Sequence, residues 1–282
     1  MRTASKVVVA ALLCGWGGGW GAGARAADQV TWISVSQAPA SIAEGPLAGQ
    51  GADEVTGRMF ARALAGFDWT QEVARPLRIQ HEIEHRDGVC SHGFARLPER
   101  ERIMIFSARA MVVPGYGMIL RADRVPDFQP YLDASGAVDL DLMKGAHLTG
   151  AYVAARPHFQ ALKAFIESAP EHPALVSSPD TVSLFRQLDG QRVDFLFGLR
   201  DETAYFAGLA TIRSKLVSLP IAGTDHYGAA YVACSNGPVG RRAIAAIDAY
   251  LADDRHWTDF VSVWQRWLTP EDYAAALRSS LR

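Results

Sequence analysis

Four arginines crowd the stretch from Gly93 to Gly117: Arg96, Arg100, Arg102 and Arg109 flank a short turn and the apolar run that follows it. A guanidinium is planar and permanently charged, and its forked N–H donors match a carboxylate in a bidentate pair that strengthens where water is excluded. A turn that leads into a strand can set such a fork beside backbone N–H groups. The chemistry on offer is therefore anion binding. Arg96 and Arg102 have Glu99 and Glu101 close in sequence, and for them neutralisation of surface acids is the expected role.

A second cluster gathers His81, His85, Cys90 and His92 within twelve positions. Imidazole and thiolate together can hold zinc. Leu77 to Ile83 alternates, however, and predicts a strand with Ile79 and Ile83 on one face. The histidines then face solvent beside a buried cysteine, and no metal site is expected. The chain reads as carrying no Gly-x-Ser-x-Gly elbow, no Walker loop and no His-Glu-x-x-His motif. Gly49-Gln50-Gly51 is too short a pattern to cradle phosphate. Asp139/Asp141 and Asp253/Asp254 lie in polar or terminal segments and read as solvated turns or caps. Hydrolysis has no visible seat, so neither catalysis nor a cofactor is expected.

The front of the chain reads as a leader. Arg2 and Lys6 precede the apolar run Val7–Leu13, and Ala24-Arg25-Ala26 is a small-x-small cleavage signal. The run is too short to span a bilayer, and bulky Leu13 before Cys14 argues against a lipid anchor. Cleavage after Ala26 leaves 256 of 282 residues, and without Arg2, Lys6 and Arg25 the formal charge of −2 becomes −5. That mild acidity makes nucleic acid and anionic membrane poor partners. Only Cys90 and Cys234 remain, and in an exported, oxidising setting they either form one disulfide or stay as two buried thiols.

The elements that must position these groups alternate. Val30–Val35 predicts a strand, and about Asp53 to Ala65 a helix with Val55, Met59, Phe60 and Ala63 on one face and Asp53 as cap. Ile103–Phe106 and Val112–Leu120 have strand length. Leu148–Ala154 predicts a strand followed by a helix over Pro157–Ala169. A helix at Thr181–Leu188, a strand at Val193–Phe197, a helix at Asp201–Leu209 and a strand in Lys215–Ala222 come next. Tyr227–Cys234 is strand-like, and helices at Val239–Ala252, Trp257–Trp267 and Pro270–Leu281 close the chain. Such alternation predicts an α/β fold with largely parallel sheets.

The order of several segments resembles the family 3 extracellular solute-binding proteins, the periplasmic type that serves ABC transporters. They are Gln37-Ala38-Pro39, the turn Gly45–Asp53, Leu97–Ser107 (LPERERIMIFS), Leu148–Leu162, Leu188–Gly198 (LDGQRVDFLFG) and His226–Ser235 (HYGAAYVACS). The resemblance covers nearly all of the chain after the leader. It looks nearest to a divergent exported subgroup that shares the Glu-Gly-Pro-Leu-x-Gly-Gln-Gly turn. It implies a type 2 periplasmic-binding fold of two α/β lobes joined by two crossing strands. Residues 27–117 and 227–282 would form lobe one, residues 118–226 lobe two. Cys90 and Cys234 would then share lobe one, which favours their pairing.

By position, the resemblance assigns Arg100 to the clamp on a ligand carboxylate, and Arg156 to the helix start that serves the same anionic end. His158 is its neighbouring contact, and Phe94 and Tyr205 line the cleft. Gln37 stands where the family has an aromatic that stacks over the ligand. Leu97 and Ala95 replace a threonine and a serine. The acid that meets a ligand ammonium is replaced by Leu199, with Asp201 and Glu202 near but out of register. The implied protein is a monomeric, non-enzymatic periplasmic binder that captures a small, polar, carboxylate-bearing solute for an ABC permease. An exported sensor of the same fold is the alternative, and a dehydratase-like cleft enzyme is a more distant one.

Overall fold

The computed structural model describes residues 27–154, 160–168, 173–178 and 180–278. The expected leader, Arg156 and His158 lie outside the described residues. The first half runs β1 (Asp28–Val35), α1 (Ala52–Ala63), β2 (Phe67–Ala74), α2 (Pro76–His85), β3 (Val89–Phe94) and β4 (Met104–Pro114). The chain then crosses through Gly115 into β5 (Tyr116–Arg121) and α3 (Val125–Phe128), followed by β6 (Thr149–Val153), α4 (Gln160–Glu167) and β7 (Ala174–Ser178). After α5 (Thr181–Asp189), β8 (Phe195–Leu199), α6 (Arg200–Ala207) and β9 (Leu216–Leu219) it returns through β10 (Tyr227–Ser235). It ends in α7 (Pro238–Leu251), α8 (Asp254–Ser262) and α9 (Pro270–Arg278).

The strands form two five-stranded sheets, ordered β2-β1-β3-β10-β4 and β7-β6-β8-β5-β9. Strand β1 is parallel to β2 and β3, while β10 is antiparallel to β3 and β4. In the second sheet β6 is parallel to β7 and β8, while β5 is antiparallel to β8 and β9. The sheets are thus mixed, which corrects the largely parallel expectation. Their parallel cores come from βαβ crossovers; the antiparallel members include β5 and β10, the strands that carry the chain from one sheet to the other. This is the two-lobed α/β architecture.

The first sheet is covered on both faces. On one side Trp32 meets Phe60 of α1 edge-on at 5.4 Å, and Phe60 stacks on Phe260 of α8 at 6.1 Å. On the other, Ile33 packs with Ile79 and Ile83 of α2. Burial of each such side chain contributes about 1.5–3 kcal/mol. The expected strand at Leu77–Ile83 is therefore a helix. Pro76 occupies its first turn, where a missing N–H costs nothing. A separation of four residues satisfies both a strand face and one helical turn, so Ile79 and Ile83 could not decide. Leu77 does: a strand would turn it inward, and it is 80% exposed.

In α1 the buried face is Ala52, Asp53, Thr56, Gly57 and Phe60, one position off the expected Val55–Met59 stripe, and Gly51 rather than Asp53 is the N-cap. Strands β2 and β7 are not among the expected elements; both are sheet edges, half open to solvent. Cys90 and Cys234 face each other across β3 and β10 and are bonded, with Cα atoms 4.1 Å apart. His92 is buried rather than solvent-facing, its Nδ1 3.4 Å from Asp53 Oδ1. No helix among the described residues is long and apolar enough to cross a membrane.

Candidate functional site

In open α/β sheets the carboxyl ends of strands that lie either side of a reversal in strand order form a ligand crevice. Each sheet here has one such point. In the first, the chain leaves β1 for β2 on one side and continues to β3 on the other, so the loops after β1 and β3 flank the crevice. In the second, β6 stands between β7 and β8, and the segments after β6 and β8 do the same. Gln37 follows β1, Arg100 follows β3, and Glu202 follows β8.

These two points face one another. Gln37 Nε2 donates to Glu202 Oε1 at 2.9 Å, a bond between residues 165 apart in sequence that belong to different lobes. The Glu202 carboxylate is 0% exposed. Its other oxygen accepts the Leu199 N–H at 3.0 Å, in the first turn of α6, where the helix dipole favours an acid. Glu202, three residues beyond Leu199, is thus folded back over the helix start. Sequence register alone could not find it, although a glutamate at the third helical position is a capping signal.

Three of the four clustered arginines reach defined partners, and one of those three keeps its charge unpaired. Arg96 lies over the rings of Phe106 and Tyr231, donates to the Ser107 carbonyl at 3.1 Å and stands 3.8 Å from Glu101. Arg109 lies over Trp257, donates to the Leu251 carbonyl at 2.7 Å and pairs with Asp254 at 3.2 Å. Arg102 is exposed. Arg100 is half-buried in the turn after β3, donates through Nη1 to the Ala95 carbonyl at 3.1 Å and stands over Phe94, 5.4 Å from its ring centroid. Among the described residues no acid pairs with it. Phe94 is 9% exposed, so it braces the guanidinium from below.

Tyr205 is placed differently from its expected position on the cleft wall. It is packed edge-on against Phe206 at 5.0 Å and Trp267 at 5.5 Å, and burial holds its phenol pKa above the ordinary value. It serves the contact between α6 and the C-terminal segment. Beside it Arg200 pairs with Asp272 at 3.1 Å, donates to the His226 carbonyl at 2.9 Å and lies over Tyr227. Asp194 is also structural: it accepts the Thr149 N–H at 2.8 Å and pairs with Arg124 at 3.0 Å.

No family model matches this chain, and no curated protein matches it. Solved structures do. An amino acid ABC transporter substrate-binding protein from Streptococcus pneumoniae, bound to L-arginine, is 13% identical, with a TM-score of 0.59 over 89% of this chain and 96% of its own. An ancestral amino-acid-binding protein, a precursor of cyclohexadienyl dehydratase, gives 15% and 0.61 over 86% and 96%. The periplasmic VFT2 domain of Bordetella pertussis BvgS gives 15% and 0.54 over 86% and 93%. At these identities the likeness establishes the fold, that of the two-lobed binding proteins.

Proposed function

We propose that the chain is a periplasmic solute-binding protein that captures a small, polar, carboxylate-bearing molecule between its lobes and delivers it to an ABC-type permease. The observation that carries this reading is the meeting of the two strand-end crevices at Gln37 and Glu202, with the unpaired Arg100 on a loop of the same crevice. In the reading, Arg100 supplies the fork for a ligand carboxylate and Glu202 the acid for a cationic group. Arg156 and His158 follow β6 and would add donors from the second lobe. Gln37 replaces stacking with hydrogen bonding, which favours a polar ligand over an aromatic one. A ligand that bonds to both lobes selects their closed arrangement, because only there does it gain both sets of contacts. Two of the solved structures of like fold are described as an amino acid ABC transporter substrate-binding protein and an amino-acid-binding protein, which supports an amino-acid-like solute.

A panel of amino acids, dipeptides and small carboxylic acids, screened by thermal unfolding and confirmed by calorimetry, tests the reading. A bound solute raises the midpoint by mass action. The expected result is a saturable rise with at least one carboxylate-bearing compound, absent with its amide. Uniform failure across the panel, or equal binding of acid and amide, would remove the basis for the assignment.

A further inference from the structure

Residues 81–85 spell His-Glu-Ile-Glu-His. The pattern His-Glu-x-x-His matters only on a helix, where residues four apart share one face and two imidazoles can reach one metal ion. The expectation that no such pattern is present is corrected here: the five residues spell it, and the strand expected at Leu77–Ile83 is a helix. The structure places all five residues in the last turns of α2. His81 and His85 are exposed, with ring centroids 4.1 Å apart and planes inclined by 31°. His85 Nδ1 lies 2.8 Å from the His81 carbonyl oxygen. The carbonyl can only accept, so Nδ1 carries the proton and donates, and the lone pair of His85 is left on Nε2. Metal-binding histidines are commonly fixed by such a bond from the other ring nitrogen to a backbone carbonyl. On the opposite face Ile79 and Ile83 anchor the helix to the sheet.

We propose that His81 and His85 form a two-imidazole site on the surface of α2 for a divalent transition-metal ion, Cu²⁺, Ni²⁺ or Zn²⁺, with water completing the coordination. Imidazole suits these ions, and affinity follows the order that places Cu²⁺ above both Ni²⁺ and Zn²⁺. The same geometry argues against peptide hydrolysis, the chemistry this pattern performs elsewhere. The general base of the pattern would be Glu82, and its carboxylate is held by Arg86 at 2.8 Å and Arg78 at 3.5 Å. Catalytic zinc takes three protein ligands, and no group of three or more His, Cys, Asp or Glu side chains able to hold a metal occurs among the described residues. His92 is buried and Cys90 is bonded to Cys234, so neither can join. The site rests on no part of the solute-binding reading.

The test uses the full chain without an affinity tag, titrated separately with copper, nickel and zinc chloride. Thermal unfolding should shift upward saturably, most with Cu²⁺. His81→Asn and His85→Asn should each weaken Cu²⁺ binding by roughly tenfold or more, while His147→Asn, at an exposed histidine in the other lobe, should leave it unchanged. Both ligand positions are exposed, so circular dichroism should show an intact fold in each variant. Paramagnetic resonance of the copper-loaded protein should report two nitrogen ligands, and one in either variant. Absence of a saturable shift with all three ions, or an undiminished shift in His85→Asn, would overturn the site. Peptide hydrolysis by the zinc-loaded chain that is lost in Glu82→Gln would overturn its separation from catalysis.

Discussion

Arg100 and Arg102 differ by two positions and carry the same charge, yet their surroundings give them different work. Arg100 is braced over Phe94 with one donor tied to its own loop, which leaves its charge unpaired among the described residues. Arg102 is exposed, and an exposed arginine without a fixed partner contributes little to stability or binding. Removal of one member of a desolvated, hydrogen-bonded charge pair costs about 2–5 kcal/mol of binding, a loss of roughly thirtyfold at the least. Arg100→Ala is therefore expected to abolish measurable solute binding in calorimetry while thermal unfolding stays within a few degrees. Arg102→Ala is expected to leave both unchanged, within about 0.5 kcal/mol. Equal effects of the two substitutions would show that charge in the loop, rather than placement, is what matters. The sequence alone could separate Arg96 from Arg100 only by resemblance, because the aromatic pair that holds Arg96 comes from Phe106 and from Tyr231, far along the chain.

The elements were legible where their burial was one-sided and local. Helices α5, α6 and α7 stand within a residue or two of expectation, because their local signals agree: Asp180 caps α5, Glu202 stands in the first turn of α6, and Pro238 opens α7. What failed was what depends on distant chain. Helix α7 begins at Gly237-Pro238 with no cap of its own, and the cap is lent by Asp87 in the turn before β3. The Asp87 carboxylate accepts the N–H groups of Val239 and Gly240 at 2.9 Å each, and that of Gly88 at 2.8 Å. Burial alone would raise its pKa; these bonds, with the Ser235 hydroxyl, outweigh it and hold the group below the ordinary carboxylate value. Because the folded value is the lower one, the stabilisation is present above about pH 4 and is lost as pH falls through the lowered value. Asp87→Ala should cost about 1–2 kcal/mol in urea unfolding at neutral pH, with a shallower loss of stability on acidification than the parent. A variant with an unaltered acid limb would contradict the assignment. The disulfide between β3 and β10 is a second long-range tie, closing a loop of 144 residues. Replacing both cysteines, Cys90→Ala with Cys234→Ala, should lower stability by about 2–4 kcal/mol, measured on oxidised and reduced parent alongside. Stability equal to that of the oxidised parent would show that the bridge adds nothing beyond the β3–β10 pairing.

Taken as a whole, the chain of the first sheet is interrupted by that of the second, and among the described residues three contacts between the two bear on their arrangement. The crossing strands meet where Gly115 N–H donates to the His226 carbonyl at 3.0 Å, and a side chain at Gly115 would strike the Asp225 carbonyl at 2.5 Å. Behind them the Arg200–Asp272 pair and the Tyr205–Trp267 contact bind α6 to the C-terminal segment of lobe one. The third tie, Gln37 to Glu202, differs in kind, because it joins the ends of strands from the two crevices and one partner is a fully buried carboxylate. A hydrogen bond to a charged group contributes about 1.5–3 kcal/mol. Made only when the lobes are together, it would weight the closed arrangement by roughly ten- to hundredfold, since 1.4 kcal/mol is a factor of ten. Gln37→Ala is then expected to open the unliganded protein, seen as a larger radius of gyration in small-angle scattering. A solute that needs the closed arrangement should bind more weakly by the same factor, and opening and affinity loss should scale together across Gln37→Ala, Gln37→Asn and Glu202→Gln. Unchanged scattering together with unchanged affinity in Gln37→Ala would mean that the hinge-side contacts alone set the lobe arrangement, with the bond across the crevices a passive consequence of it.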